Sequence, residues 1–284
     1  MLTDTRIAFI GAGAMGGAMI SGLLSRKLVA PDQIVASDPH EGITTRLHEK
    51  HGVGVTTDNV AACEGADIVV LSVKPQVLPQ VFSGLVGHIP VDAIVISIVA
   101  GASVTAISEG LQHQSVVRSM PNTPAQIGEG ITVWTESGSV ETLQHQQAET
   151  VLQALGHEVF LDDEDYLDMA TALSGTGPSY VFLFMEALVD AGVHLGFSRK
   201  VAEELVHRTV KGSADFVLQS PRHLARLRDQ VTSPGGTSAE ALYYLEKAGF
   251  RTALSRAVWA AYQRSIELGR GGMRHRLDDS VKSD

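Results

Sequence analysis

Residues 9 to 16 read FIGAGAMG, with glycines at 11, 13 and 16. They follow a short apolar run, RIAFI, and open AMGGAMISGLLSRK, whose apolar positions recur at helical spacing. In that strand, turn and helix setting each glycine has a physical use. Gly11 permits the tight turn, Gly13 lets the backbone approach a diphosphate, and Gly16 lets the helix lie close to the strand. The first amides of the helix then face the phosphates with partial positive charge. Four more runs of strand length, QIVAS, DIVVLSV, AIVISIV and SVVRSM, are bounded by Gly, Pro or polar residues. The alternation predicts an α/β domain of Rossmann type, a doubly wound parallel sheet covered by helices on both faces.

Asp38 closes the second of these runs, about twenty positions past Gly16, where a carboxylate binds the ribose hydroxyls of an adenine dinucleotide. A carboxylate there repels a 2′-phosphate, and the next cationic Lys or Arg in the chain is Arg46. The expected cofactor is therefore NADH or NADPH, with Asp38 leaning to NADH.

From about residue 165 strand-like runs give way to helix-compatible segments. The division is placed in the acidic LDDEDYLD, giving a dinucleotide-binding domain over 1–163 and an all-α domain over 164–284. Ser198 is expected to cap one helix, Ser220 with Pro221 to start the next, and Gly249 to end the helix that follows residue 237. The polar tail GRGGMRHRLDDSVKSD is expected to fray. In VTSPGGTS, residues 231–238, Thr237 with Glu240 three residues later fits a capping box. Gly235 and Gly236 then expose backbone N–H groups as a small anion nest in front of the helix.

The chain has 284 residues, a formal charge of −10 and one cysteine, Cys63. The acidity argues against nucleic acid and anionic membranes as partners, and a single thiol suits a reducing cytoplasm. No run approaches the ~18 to 20 apolar residues of a membrane span; SYVFLFMEALVDAGVHLGF is broken by Glu186 and Asp190. That stretch is apolar around much of its circumference, which suggests packing against a second copy and predicts a homodimer at least. The acids 162–165 read as a solvated turn, and no metal is expected. His194 and His207 read as surface or packed residues, and Cys63 as a small packed hydrophobe.

Four stretches, VLSVKPQ, VRSMPNTPA, ALSGTGPSYVF and VTSPGGTS, together with the N-terminal glycines resemble pyrroline-5-carboxylate reductase, a family that makes proline by reducing a cyclic imine. The similarity implies cofactor contacts at Ile10, Gly11, Ala12, Gly13, Ala14, Met15 and Gly16, then Ser37, Asp38, Asn59, Val73, Lys74, Pro75, Ala100, Asn122 and Gln230. It implies substrate binding at Glu164, Ser233, Gly235, Gly236, Thr237 and Ser238 in a helical substrate-binding and dimerisation domain, with Ser238 and Thr237 as the catalytic pair. Two positions depart from the family pattern: Ser238 stands where Thr is common, and Gln230 where some members have Asn.

The resemblance further implies dimers that assemble into rings, up to a decamer. A cyclic imine is basic enough to be protonated near neutrality, so its reduction calls for orientation of two reactants more than for a strong acid. None of the 11 histidines falls in the four stretches. Within the same architecture a 3-hydroxyacid dehydrogenase would need a lysine in the first helix of the helical domain, and none follows SGTGPSY until Lys200. Another imine reductase, or a module that senses NAD(H) without turnover, stays open on the residues alone.

Overall fold

The computed structural model describes residues 2–269; the polar tail beyond lies outside the described residues. Eight strands form one sheet: β1 (Ile7–Ile10), β2 (Ile34–Ser37), β3 (Gly54–Thr56), β4 (Ile68–Leu71), β5 (Ile94–Ser97), β6 (Val116–Met120), β7 (Gly130–Glu136) and β8 (Gly156–Phe160). Their order is 3-2-1-4-5-6-7-8, parallel throughout except for the antiparallel β6/β7 pair. Strand order reverses between β1 and β4, and the crevice at the carboxyl ends of these strands is where such sheets bind ligands.

The helices that cross between strands are α1 (Ala14–Ser25), α2 (Glu41–His51), α3 (Asn59–Cys63), α4 (Leu78–Leu85), α5 (Val104–Leu111) and α6 (Thr142–Gln153). Along β1, Ile7 and Phe9 enter one core with Met19, Leu23, Trp134 and Leu152, while Ala8 and Ile10 enter the other with Leu71, Leu85 and Ile107. That is the period of two expected of a strand buried on both sides. Cys63 belongs to the second core, where burial, aided by Asp58, pushes its thiol up to about 12.

Beyond β8 the chain is helical: α7 (Asp165–Ala170), a π-helical turn over Thr171–Gly175, α8 (Gly177–His194), α9 (Arg199–Leu218), α10 (Leu224–Gln230), α11 (Thr237–Lys247) and α12 (Phe250–Gly269). By contacts the chain forms two compact units, 1–176 with 261 onward, and 177–260. The first unit thus holds α7 and the π turn, which the division at 163/164 assigned to the helical part. It also holds the end of α12. In the second unit only Val189, Ala202 and Leu227 are buried, and Val181, Phe182, Leu183, Phe184 and Leu188 of α8 are exposed. No helix among the described residues is long and apolar enough to cross a membrane.

Ser198 caps α9 by accepting from the Val201 amide, and Gly249 separates α11 from α12 at φ +74°. The Ser220 and Pro221 start is corrected. The Ser220 hydroxyl accepts from the Arg222 amide two residues on and closes a local turn instead. His223 then caps α10, its Nδ1 accepting from the Ala225 amide. The strands β3, β7 and β8 were not among the runs read from sequence. β3 has three residues, and β8 carries polar His157 and Glu158.

Candidate active site

The three glycines have three different surroundings. Gly11 has φ +98°, and a Cβ on it would lie 2.7 Å from the Ser72 carbonyl oxygen. A Cβ on Gly16 would strike the Gly11 carbonyl and the Ser72 hydroxyl, so this glycine sets the approach of α1 to the turn. Over Gly13 there is nothing within 4 Å, and the residue caps α1 without a side chain. The first amides of α1 are left for a ligand. Ser72, not singled out from sequence, fastens the turn by donating to the Gly11 carbonyl at 2.6 Å.

Asp38 is almost buried, 8% exposed, and its two oxygens are divided. One accepts from the Ala12 amide at 3.1 Å, and the other from the His40 amide at 3.0 Å with the His40 ring at 3.1 Å. The carboxylate therefore buttresses the glycine turn from the end of β2. Beside it the Ser37 hydroxyl donates to Asn59 Oδ1 at 2.7 Å. A cavity of about 400 Å³ opens against the turn, lined by Gly13 and Ala14 together with Ser21, Arg46, Lys50 and His51. His51, 2.9 Å from the Ser21 hydroxyl, is held below the usual histidine range by burial and then by Lys50. An open glycine, uncapped helix amides and an acceptor at the end of β2 together fit an adenine dinucleotide.

The hydroxyl-rich loop belongs to the second unit. Gly235 turns the chain at φ +70°, and Gly236 rather than Thr237 is the N-cap of α11, its carbonyl accepting from Glu240 N at 3.2 Å. The capping box is therefore corrected: the helix starts one residue earlier than the Thr237 and Glu240 pattern implied. A Cβ on Gly236 would require the Ser233 hydroxyl to move and would lie 3.1 Å from the Ser233 carbonyl. That carbonyl already accepts from the Gly236 amide at 3.0 Å, so this amide does not join the expected anion nest. The consequence is chemical. With no side chain at the cap, the first-turn amides are unserved, and among the described residues neither the Thr237 nor the Ser238 hydroxyl is engaged.

Residues 164–268 match the family described as pyrroline-5-carboxylate reductase dimerisation, and residues 6–101 match the NADP oxidoreductase, coenzyme F420-dependent family. A pyrroline-5-carboxylate reductase of Synechocystis sp. is 40% identical over 93% of this chain and 98% of its own length. The chain belongs to the pyrroline-5-carboxylate reductase family. Solved structures agree. The reductase from Coxiella burnetii is 35% identical with a TM-score of 0.86, covering 93% of this chain and 98% of its own. The Plasmodium falciparum pyrroline carboxylate reductase, solved with NADP bound, is 31% identical with the same TM-score, covering 94% and 98%.

Within the reductase fold, the first unit brings the glycine turn, Ser37, Asp38 and Asn59 together. Val73 to Pro75 leave β4 and Ala100 leaves β5, at the carboxyl edge of the same strands. Gln230, Ser233 and Gly235 to Ser238 fall in the second unit, where Gln230 lines a cavity with Arg222, Arg226 and Asp229. Two expected contact residues carry structural bonds. Asn122 accepts from the Ile131 amide at 3.0 Å and donates to the Ser174 carbonyl at 3.2 Å, tying the MPNTP turn to the π turn. Glu164 is half-buried rather than a free solvated acid, and one oxygen accepts from the Val104 amide and from Arg118, each at 2.8 Å.

Arg118 itself was missed. It reaches Asp168 at 3.1 Å, and the same Asp168 oxygen accepts from the Ser265 hydroxyl at 2.7 Å. The signal was available: Arg118 is a cation inside SVVRSM, an otherwise apolar strand, and a buried arginine demands acids nearby.

Proposed function

We propose that this chain reduces 1-pyrroline-5-carboxylate to L-proline, the last step of proline biosynthesis, with NADH used in preference to NADPH. The observation that carries the reading is the start of α11, where Gly235 and Gly236 precede unserved amides and the Ser238 hydroxyl. A planar carboxylate fits those amides, and the helix dipole adds to the attraction. Ser238 then lies next to the ring nitrogen as hydrogen-bond partner, with the Thr237 hydroxyl beside it. The nicotinamide cofactor supplies a hydride to the imine carbon, and the nitrogen carries the proton.

The open amides of α1 hold the diphosphate, and Asp38 accepts from the ribose hydroxyls with the lone pairs left by Ala12 and His40. The residues at the ends of β4 and β5 keep the reacting half of the cofactor in place. Rate then comes from orientation rather than from a strong acid. The exposed apolar face of α8 supports a homodimer as the working unit, with a decameric ring of dimers as its larger assembly in the cytoplasm.

Oxidation of NADH followed at 340 nm with pyrroline-5-carboxylate, together with identification of proline, tests the activity. Cofactor binding without turnover would reject it. A higher kcat/KM with NADPH would reject the preference, and light scattering at the 30.2 kDa of one chain would reject the dimer.

A further inference from the structure

The cavity beside the glycine turn carries cations that reading along the chain placed too far away to matter. Ile43, Arg46, Leu47 and Lys50 fall on one face of α2 and line the cavity opposite Gly13 and Ala14. Arg46 is exposed, yet its side chain is anchored. Its Nε donates to the Gly42 carbonyl at 2.8 Å, one turn back, so the side chain is laid toward the start of α2. That start, Glu41, lies three positions past Asp38 in the chain. With Nε so fixed, the guanidinium keeps its terminal N–H groups, a fork that matches two phosphate oxygens. The other charged or titratable groups lining the cavity are Lys50 and His51, and Asp38 stands behind it, bonded to the amide of the lining residue Ala12 and to His40.

Resting on the dinucleotide reading of this site, we propose that Arg46, seconded by Lys50, is the specificity residue that admits the adenosine 2′-phosphate and offsets the repulsion of Asp38. The chain then uses both cofactors. Asp38 favours NADH, and Arg46 sets how large the penalty on NADPH is.

The test measures binding to the full-length protein, by nicotinamide fluorescence for NADH and NADPH and by calorimetry for adenosine 2′,5′-bisphosphate against ADP. Arg46→Ala is expected to weaken NADPH and the bisphosphate about tenfold, as loss of a charge-assisted phosphate contact does, while NADH and ADP stay within about twofold. Arg46→Lys, which keeps the charge without the fork, falls in between. Equal weakening of both cofactors, or unchanged NADPH binding, overturns the proposal. Wild-type protein that binds none of the four ligands would instead overturn the dinucleotide site itself. Unchanged thermal melting of Arg46→Ala, expected of an exposed residue, shows that the fold is retained.

Discussion

Replacing Arg118 with methionine removes from its cluster the one cation found there among the described residues. The guanidinium side chain is 7% exposed, and its partners Glu164 and Asp168 are 30% and 22% exposed. Breaking a buried ion pair by deleting one partner costs about 3–5 kcal/mol, because a charge is left without compensation. Two facts lower that figure here. Water reaches part of each carboxylate, and each keeps another donor, the Val104 amide for Glu164 and the Ser265 hydroxyl for Asp168. A cost of roughly 2–4 kcal/mol remains, which for a chain of this size lowers Tm by roughly 4–16 °C.

Urea unfolding at fixed protein concentration measures it. The decisive comparison adds Glu164→Gln and Asp168→Asn to Arg118→Met. Neutral amides of the same shape leave no unpaired charge, so the triple variant should recover most of the loss, as coupled residues do in a mutant cycle. The reasoning fails if Arg118→Met costs under about 1 kcal/mol, the range of an exposed pair, or if the triple variant is simply the sum of the singles.

Gly13→Ala should leave stability within about 1 kcal/mol while weakening cofactor binding, since its Cβ enters open space. Gly16→Ala should destabilise by about 1–3 kcal/mol through overpacking against Gly11 and Ser72; calorimetry with a cofactor titration separates the two, and identical behaviour would refute the assignment. Ser238→Ala should lower kcat with cofactor Kd unchanged, and an unaltered kcat removes Ser238 from the mechanism. With its thiol pushed up to about 12, Cys63 should resist alkylation at pH 8 until the chain unfolds. Because the folded value is the higher one, the thiol's stabilising contribution is complete below the unfolded value near 9 and declines as pH rises toward 12.

What could be read along the chain was what depends on local pattern. The glycine spacing gave β1, the turn and α1, and apolar runs gave β2, β4, β5 and β6, because strands buried on both faces are apolar throughout. β8 escaped because it alternates between half-buried and exposed residues. The start of α11 was misplaced by one residue, since Thr237 suits a cap chemically while the left-handed turn at Gly235 brings Gly236 to the cap position. The bonds of Arg118, and that of Asn122 to Ser174, span 46 to 52 positions, and no spacing rule reaches that far. Arg46 was discounted for its distance from Asp38 in sequence, though one turn of helix carries its side chain back.

The sparse interior of residues 177–260 has a thermodynamic consequence. Three buried residues cannot offset the conformational entropy of an ordered segment of that length. In the proposed homodimer the apolar area that holds this unit together is supplied by association, so its folding equilibrium contains protein concentration as a variable. The first unit, with two cores of its own, carries no such dependence. On dilution the helical unit should melt first and at a temperature that falls with each tenfold drop in concentration, leaving the sheet intact.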